Sequence, residues 1–173
     1  AASSASVAEL VFAHLFGMVR FLYEANRQMP LEGESHFKDL KKSYAKGKEL
    51  AGKTLGIIGF GRIGQEVAKR AIGLGMNVIA HDKFVDTAKI ELNFFNGQTM
   101  NFAITPTSLE EVLKNSDFIT LHIPKIGDKA VIGAEEISMM KDGAGIVNAA
   151  RGGVIDEDAL MFALEKGKLD YAG

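Results

Sequence analysis

The chain contains no cysteine among its 173 residues. Disulfides, thiolate zinc sites and cysteine nucleophiles are therefore excluded, and a reducing, cytoplasmic compartment is compatible. Proline is scarce, at 3 against 19 glycines. That ratio suits the tight turns of an α/β protein better than disorder. No apolar run approaches the roughly 20 residues of a membrane-spanning helix. Neither sign of charge dominates: the formal net charge is -2. No global basic field therefore points to nucleic acid or an anionic membrane. The opening AASSASVAEL lacks the basic flank of a secretory signal, and no initiator methionine precedes it. The chain is accordingly read as a piece of a longer one. Acids and histidines lack ligand spacing, so no metal site is expected.

What is present is mostly alternation. Apolar side chains recur at helical spacing from Val7 to Leu22, which predicts a helix over about 7–28, opened by a capping box of Ser6 and Glu9. Two roles fit it: facing the core, or also packing on another domain or subunit. Residues 31–50 are polar and Lys-rich without a persistent period. They read as a connecting segment, with a short helix near Phe37 to Tyr44. The lysines suit a solvated face, or a patch for a phosphate. From Thr54 onward, short apolar runs alternate with amphipathic ones. Strands are expected at 54–59, 76–81, 117–122 and 145–148, with a further one at 100–104. Helices are expected at 62–74, 108–115, 134–140 and 156–166. Leu169 opens an element the pattern leaves unfinished. Strands alternating with helices predict a doubly wound parallel sheet covered on both faces.

The most informative stretch is GKTLGIIGFGRIGQEVAKRAIGLGMNVIAHDK, from Gly52 to Lys83. Gly59, Gly61 and Gly64 form G-x-G-x-x-G between an apolar strand and an amphipathic helix. The first allows a tight turn, the second lets a pyrophosphate approach the backbone, and the third lets helix and strand pack closely. Helix N–H groups and the positive end of the dipole then face the phosphates. Asp82, 18 residues past Gly64, ends the second strand. Its carboxylate can accept both ribose hydroxyls and would repel a 2′-phosphate, which favours NAD over NADP. The bland alternative is a packing turn beside a loop acid. A second stretch, GIVNAARGG from Gly145, ends a strand on small residues and one arginine. Ligands of open α/β sheets sit beyond the strand ends. Arg151 there can grip a substrate carboxylate bidentately, or merely cap local carbonyls. Ala149 and Ala150 leave room for a flat nicotinamide.

These stretches, with SVAEL at Ser6, SLEEVLKNSDFITLHIP from Ser108 and IVNAARGGVIDEDAL from Ile146, resemble the NAD-binding domain of D-isomer-specific 2-hydroxyacid dehydrogenases, most nearly phosphoglycerate dehydrogenases. The likeness covers nearly the whole chain. It implies a Rossmann-like domain over 51–173, preceded by a packing and dimerisation helix over 1–30. It implies backbone contacts from Arg62 and Ile63 to the pyrophosphate, and from Ala149 onward to the nicotinamide. The turn His122-Ile123-Pro124 would lie along the cofactor. Arg151 would be the catalytically essential, substrate-binding arginine, and the helix from Val7 would help form a homodimer. The implied activity is hydride transfer between NAD and a D-2-hydroxy acid, first of all 3-phosphoglycerate in serine biosynthesis. Glyoxylate, hydroxypyruvate, lactate and formate types share the motifs, and so do corepressor-like NAD-sensing modules.

The chain departs from that pattern in three places. Glu91 to Asn101 is long, and its Asn96-Gly97 signals a small β-hairpin near the adenosine end. Lys125 to Val131 is unusual: relatives carry a threonine near Lys129. The split substrate domain is missing, and with it the Glu–His pair that exchanges the hydroxyl proton. His14, His36, His81 and His122 each fit a hydrogen-bonded structural role better than a replacement. Without that pair, these residues alone are expected to bind NAD and turn over negligibly.

Overall fold

The computed structural model describes residues 3–125 and 127–173. Ile126, inside the unusual Lys125–Val131 loop, lies outside them. In chain order the elements are α1 (Ser3–Val19), α2 (Leu22–Tyr44), β1 (Thr54–Ile58), α3 (Arg62–Gly73), β2 (Asn77–His81), β3 (Ala88–Asn93), β4 (Thr99–Ile104), α4 (Leu109–Asn115), β5 (Phe118–Leu121), α5 (Ala134–Met139), β6 (Ala144–Asn148), α6 (Glu157–Glu165) and β7 (Leu169–Ala172).

Five strands form one sheet in the order β2-β1-β5-β6-β7, with every pair parallel. Side chains alternate across a strand, so neighbouring residues enter different layers. Leu55, Ile57, Phe118 and Val147 join α1 and α3 in one core. Ile58, Ile119, Leu121 and Ile146 join α4, α5 and α6 in the other. Fully burying each such side chain is worth about 1.5–3 kcal/mol, and the near-continuous apolar runs of β1 and β5 follow from burial on both faces. Helices on both faces make the doubly wound sheet that the alternation predicts. β7 completes the element opened at Leu169, pairing parallel with β6.

The N-terminal helix differs from expectation. Ser6 does not cap it: α1 already runs from Ser3. Glu9 reaches sideways to Arg70 of α3 at 3.0 Å instead of back to a helix N–H. Val11, Leu15 and Val19 are buried in the core that α1 shares with α3 and the sheet. The helix stops at Val19 rather than continuing to 28. Phe21 adopts a left-handed backbone, φ 55 and ψ 34, which a non-glycine residue reaches only at a cost. The chain turns by 55° there. The polar segment then proves helical, as α2, with no buried residue. Its lack of period follows from that: no face is selected against water. His36 breaks the helical dihedrals, at φ -124 and ψ 23. The part after it is the short helix expected at Phe37–Tyr44. It folds back, since Tyr44 bonds Gln28 and its ring lies 6.4 Å from that of Phe21. No single described helix is long and apolar enough to cross a membrane.

The Asn96-Gly97 signal marks an antiparallel hairpin, β3–β4, outside the main sheet. Gly97 takes φ 84 and donates to the Phe94 carbonyl. Ala88 and Ile90 alternate inward and pack on the α1–α3 core. The ribbon is thus inserted between β2 and α4, beyond the β2 edge of the sheet.

Candidate nucleotide-binding site

The strand order reverses between β2-β1 and β1-β5, and the glycine bend leaves the sheet at that switch point. Gly59 has φ 93. A Cβ there would also lie 2.5 Å from the His122 carbonyl oxygen, so this turn and the turn after β5 are in backbone contact. Gly64 faces backward: a Cβ would come within 2.2 Å of the Gly59 oxygen and 3.2 Å of Ile57 Cγ2. Helix and strand can approach only because that methyl is missing. Gly61 is different. Its added Cβ would meet nothing within 4 Å, so the space before it is open. Gly61 is the residue before α3, and no side chain caps the helix. Its first N–H groups, including those of Arg62 and Ile63, have no intrahelical acceptor. Open space in front of bare N–H donors and a helix dipole fits a diphosphate.

Asp82 ties this bend to β2. Its Oδ2 accepts the Phe60 N–H at 2.6 Å, and its Oδ1 accepts those of Phe84 and Val85 at 2.8 and 3.2 Å. Partial burial works to raise its carboxyl. The Phe84, Phe60 and Val85 donors and neighbouring His81 outweigh that and hold it below the usual carboxylate range. The acid stays ionised and orders the glycine bend. Two carboxylate oxygens offer about four acceptor positions, which leaves capacity for a ribose hydroxyl. His81 turns its Nδ1 to the Thr107 carbonyl at 2.8 Å, a structural bond as expected.

Across the switch point lies a cavity of about 320 Å³, lined by Ser3, Val7, Ile63, His122, Ile123, Pro124, Ala149, Ala150 and Arg151. Seven of the residues singled out in the sequence thus converge on one hollow. Gly59, Gly61, Gly64 and Asp82 form the adjoining bend, while Arg62 faces a separate hollow with Ser4, Gln65 and Lys69. The loop after β6 is braced by Asn148, whose side chain donates to the Arg151 carbonyl and accepts from the Ala150 N–H. The Arg151 guanidinium is exposed and donates to the Ala150 carbonyl at 2.8 Å. It meets the local-carbonyl reading and also lines the cavity. His122 bonds the buried Thr120 hydroxyl through Nε2 at 3.0 Å, and its buried Nδ1 has no partner among the described residues. Burial pushes this imidazole down to about 4, so it is neutral at physiological pH.

Ser3 and Val7 escaped the sequence reading. They reach the cavity because α1 lies against α3. The small residues Ser3 to Ser6 ahead of the first apolar one were the available signal, since only short side chains leave room beside a ligand.

Residues 12–173 match the family described as D-isomer specific 2-hydroxyacid dehydrogenase, NAD binding domain. The chain is 42% identical to hydroxypyruvate reductase of Thermotoga maritima, over 99% of this chain and 51% of that protein. It is 43% identical to D-3-phosphoglycerate dehydrogenase of Methanocaldococcus jannaschii, over 99% of this chain and 30% of that protein. The solved structure of Aquifex aeolicus D-lactate dehydrogenase, complexed with NAD and lactic acid, superposes with a TM-score of 0.75 at 36% identity, covering 99% of this chain and 47% of that one. The chain thus spans about half the length of these relatives, or less. The chain belongs to the NAD-binding domain family of the D-isomer-specific 2-hydroxyacid dehydrogenases.

Proposed function

We propose that this chain is the cofactor-binding half of an oxidoreductase that interconverts a D-2-hydroxy acid and its 2-oxo acid with NAD, 3-phosphoglycerate being the first substrate to test. The observation that carries the reading is the cavity of about 320 Å³ in which Ile63, the His122–Pro124 turn and Ala149–Arg151 meet beside the glycine bend. Bound NAD supplies the hydride acceptor. The protein's own residues do the rest. The bend at Gly59, Gly61 and Gly64, with the Arg62 and Ile63 N–H groups, receives the diphosphate, and Asp82 takes the adenosine ribose. Ile123, Pro124, Ala149 and Ala150 wall a flat ring with apolar surface and exclude water. Arg151 holds the carboxylate of the hydroxy acid and polarises the oxygen at C2. Hydride leaves C2 while the hydroxyl proton passes to a base that we place outside these 173 residues.

We assign the N-terminal helices to a homodimer. Leu22, Leu31 and Phe37 of α2 are exposed. A groove of about 670 Å³ at the α1–α2 turn is lined by Leu10, Met18, Phe21, Tyr23 and Tyr171. Exposed apolar surface of this extent supports a partner face. A cytoplasmic location goes with this reading.

Titration with NADH and NADPH, followed by cofactor fluorescence, tests the first step: NADH should bind and NADPH should bind far more weakly. In the full-length protein, Arg151→Met should lower kcat/KM for the D-2-hydroxy acid about a hundredfold or more, the scale of a lost charge-assisted contact in a transition state. Failure of NADH to bind, or full activity in that variant, overturns the proposal. Sedimentation velocity tests the dimer, which Leu10→Glu and Met18→Glu should dissociate.

A further inference from the structure

Neighbouring strands deliver two cations to one end of the sheet. Arg151 lies three residues past β6 and Lys125 four past β5, and these strands are hydrogen-bonded to each other. The Lys125 side chain crosses the loop that follows Arg151. A methyl built on Gly153 would stand 2.8 Å from Lys125 Nζ, 3.1 Å from its Cε and 3.3 Å from its Cδ. Glycine at 153 therefore leaves the space that the lysine occupies. The lysine follows directly on Pro124, which lines the cavity together with Arg151.

Among the described residues neither cation forms an ion pair. The acids nearest in sequence are engaged or turned outward. Asp156 caps α6 through the Ala159 N–H, and Asp128 is exposed. Both groups follow the carboxyl ends of adjacent strands, and the lysine tail lies against Gly153, two residues past Arg151. A monocarboxylate satisfies one of them, whereas a substrate with a second acidic group satisfies both. The planar guanidinium matches a carboxylate, and the compact ammonium serves any anionic oxygen as a point charge.

We infer that Lys125 is a specificity-determining residue, which takes the second anionic group, a phosphate or a carboxylate, of a 2-hydroxy acid whose first carboxylate Arg151 holds. The inference rests on the site reading given above. It selects, among the substrates of that reading, those with an acidic tail.

The test uses the full-length protein with NAD and two substrate pairs. D-3-phosphoglycerate and D-glycerate differ by the phosphate; D-malate and D-lactate differ by the carboxylate. The readout is the ratio of kcat/KM within each pair. Wild type should favour the acidic-tailed member of at least one pair. Lys125→Met should lower that ratio about tenfold or more, mainly through KM. Lys125→Arg should restore most of it. Lys125 is exposed, so both variants should melt with the wild type. A wild type that favours neither acidic tail overturns the inference, and so does an unchanged ratio in Lys125→Met. An equal fall for both members, with weakened NADH binding, also overturns it by giving the lysine to the cofactor. Arg151→Met separates the two levels. If it spares turnover, the site reading itself fails. If it abolishes turnover while Lys125→Met leaves the ratio intact, the lysine inference alone fails.

Discussion

Two glycines of one motif should fail in opposite ways when each gains a single methyl. At Gly64 the new Cβ would stand 2.2 Å from the Gly59 carbonyl oxygen and 3.2 Å from the Gly59 carbonyl carbon. Backbone cannot rotate aside as a side chain can, so α3 must lift from β1. Overpacking of this kind costs about 1–3 kcal/mol. Alanine returns up to about 1 kcal/mol in helix propensity. The balance is a loss of roughly 1–2 kcal/mol, which lowers Tm by roughly 2–8 °C in a chain of this size. At Gly61 the same methyl meets nothing within 4 Å, and the backbone, φ -74 and ψ -159, suits any residue. Gly61→Ala should therefore cost no more than about 1 kcal/mol, the helix-cap preference for glycine over alanine, and melt within about 4 °C of the wild type. It should nevertheless weaken NADH binding about tenfold or more, equivalent to about 1.4 kcal/mol, because the proposal puts the diphosphate in the open space before it. Differential scanning fluorimetry and NADH titration on both variants decide the matter. Gly61→Ala with wild-type affinity would show that the dinucleotide does not cross this bend. Gly64→Ala with wild-type Tm would show that close packing is not what its missing side chain provides.

The remaining predictions concern the groups around that bend. The His122 imidazole titrates at about 4 when folded against 6.5 when free, so between those values the unfolded chain binds the extra proton. Stability should fall by up to roughly 3 kcal/mol as pH drops through that window, and level off below it; urea melts should show the slope in the wild type and a flatter one in His122→Gln. Asp82 runs on the same side but lower: its depressed folded value gives stability that is present above the ordinary carboxylate range and lost as pH falls through the folded one. Asp82→Ala should cost about 1.5–3 kcal/mol at pH 7, the scale of bonds to a charged acceptor, with the gap to wild type closing in acid. The conservative Asp82→Ser should also raise NADPH affinity relative to NADH, measured by the same titration. Ser108 accepts the Glu111 N–H at 3.1 Å at the start of α4, so Ser108→Ala should lower stability by about 1 kcal/mol and leave NADH binding as it was.

What the sequence revealed was local, and what it concealed was contact across distance. The strands of the main sheet are short apolar runs between turn signals, and the glycine motif needs only its neighbours to be recognised. The helix starts near Ser108 and Asp156 were legible for the same reason. Glu9 misled because spacing makes it a capping partner, while Arg70, 61 positions away, claims its carboxylate. The stop at Val19 could not be read because a left-handed Phe21 carries no residue signature of the kind glycine gives. β3 did carry one: Ala88, Ile90 and Leu92 alternate with Lys89, Glu91 and Asn93, so the missing step was to extend the Asn96-Gly97 hairpin backward with that register. Within the site, Arg151 was singled out from its place after a strand, and the His122 turn from the family resemblance alone. Ser3 and Val7 were not, because a helix from the other end of the chain brings them there.

The same geometry divides the chemistry in two. On the proposed reading, this domain contributes apolar walls, bare helix N–H groups, a braced loop and an arginine to hold a flat ring against a hydroxy acid. We place the proton acceptor outside the cavity lining. Its one imidazole among the described residues, His122, is bonded at Nε2 to a buried hydroxyl and stays neutral until about pH 4. A base poised so low carries little driving force at pH 7. It follows that loading with cofactor and turnover should separate experimentally. The isolated 173-residue chain should bind NADH yet leave a D-2-hydroxy acid unoxidised at any pH from 6 to 9, and His122→Gln in the full-length protein should leave the pH profile of kcat unmoved. A shift of that profile with the His122 variant would assign the proton to this turn and refute the division.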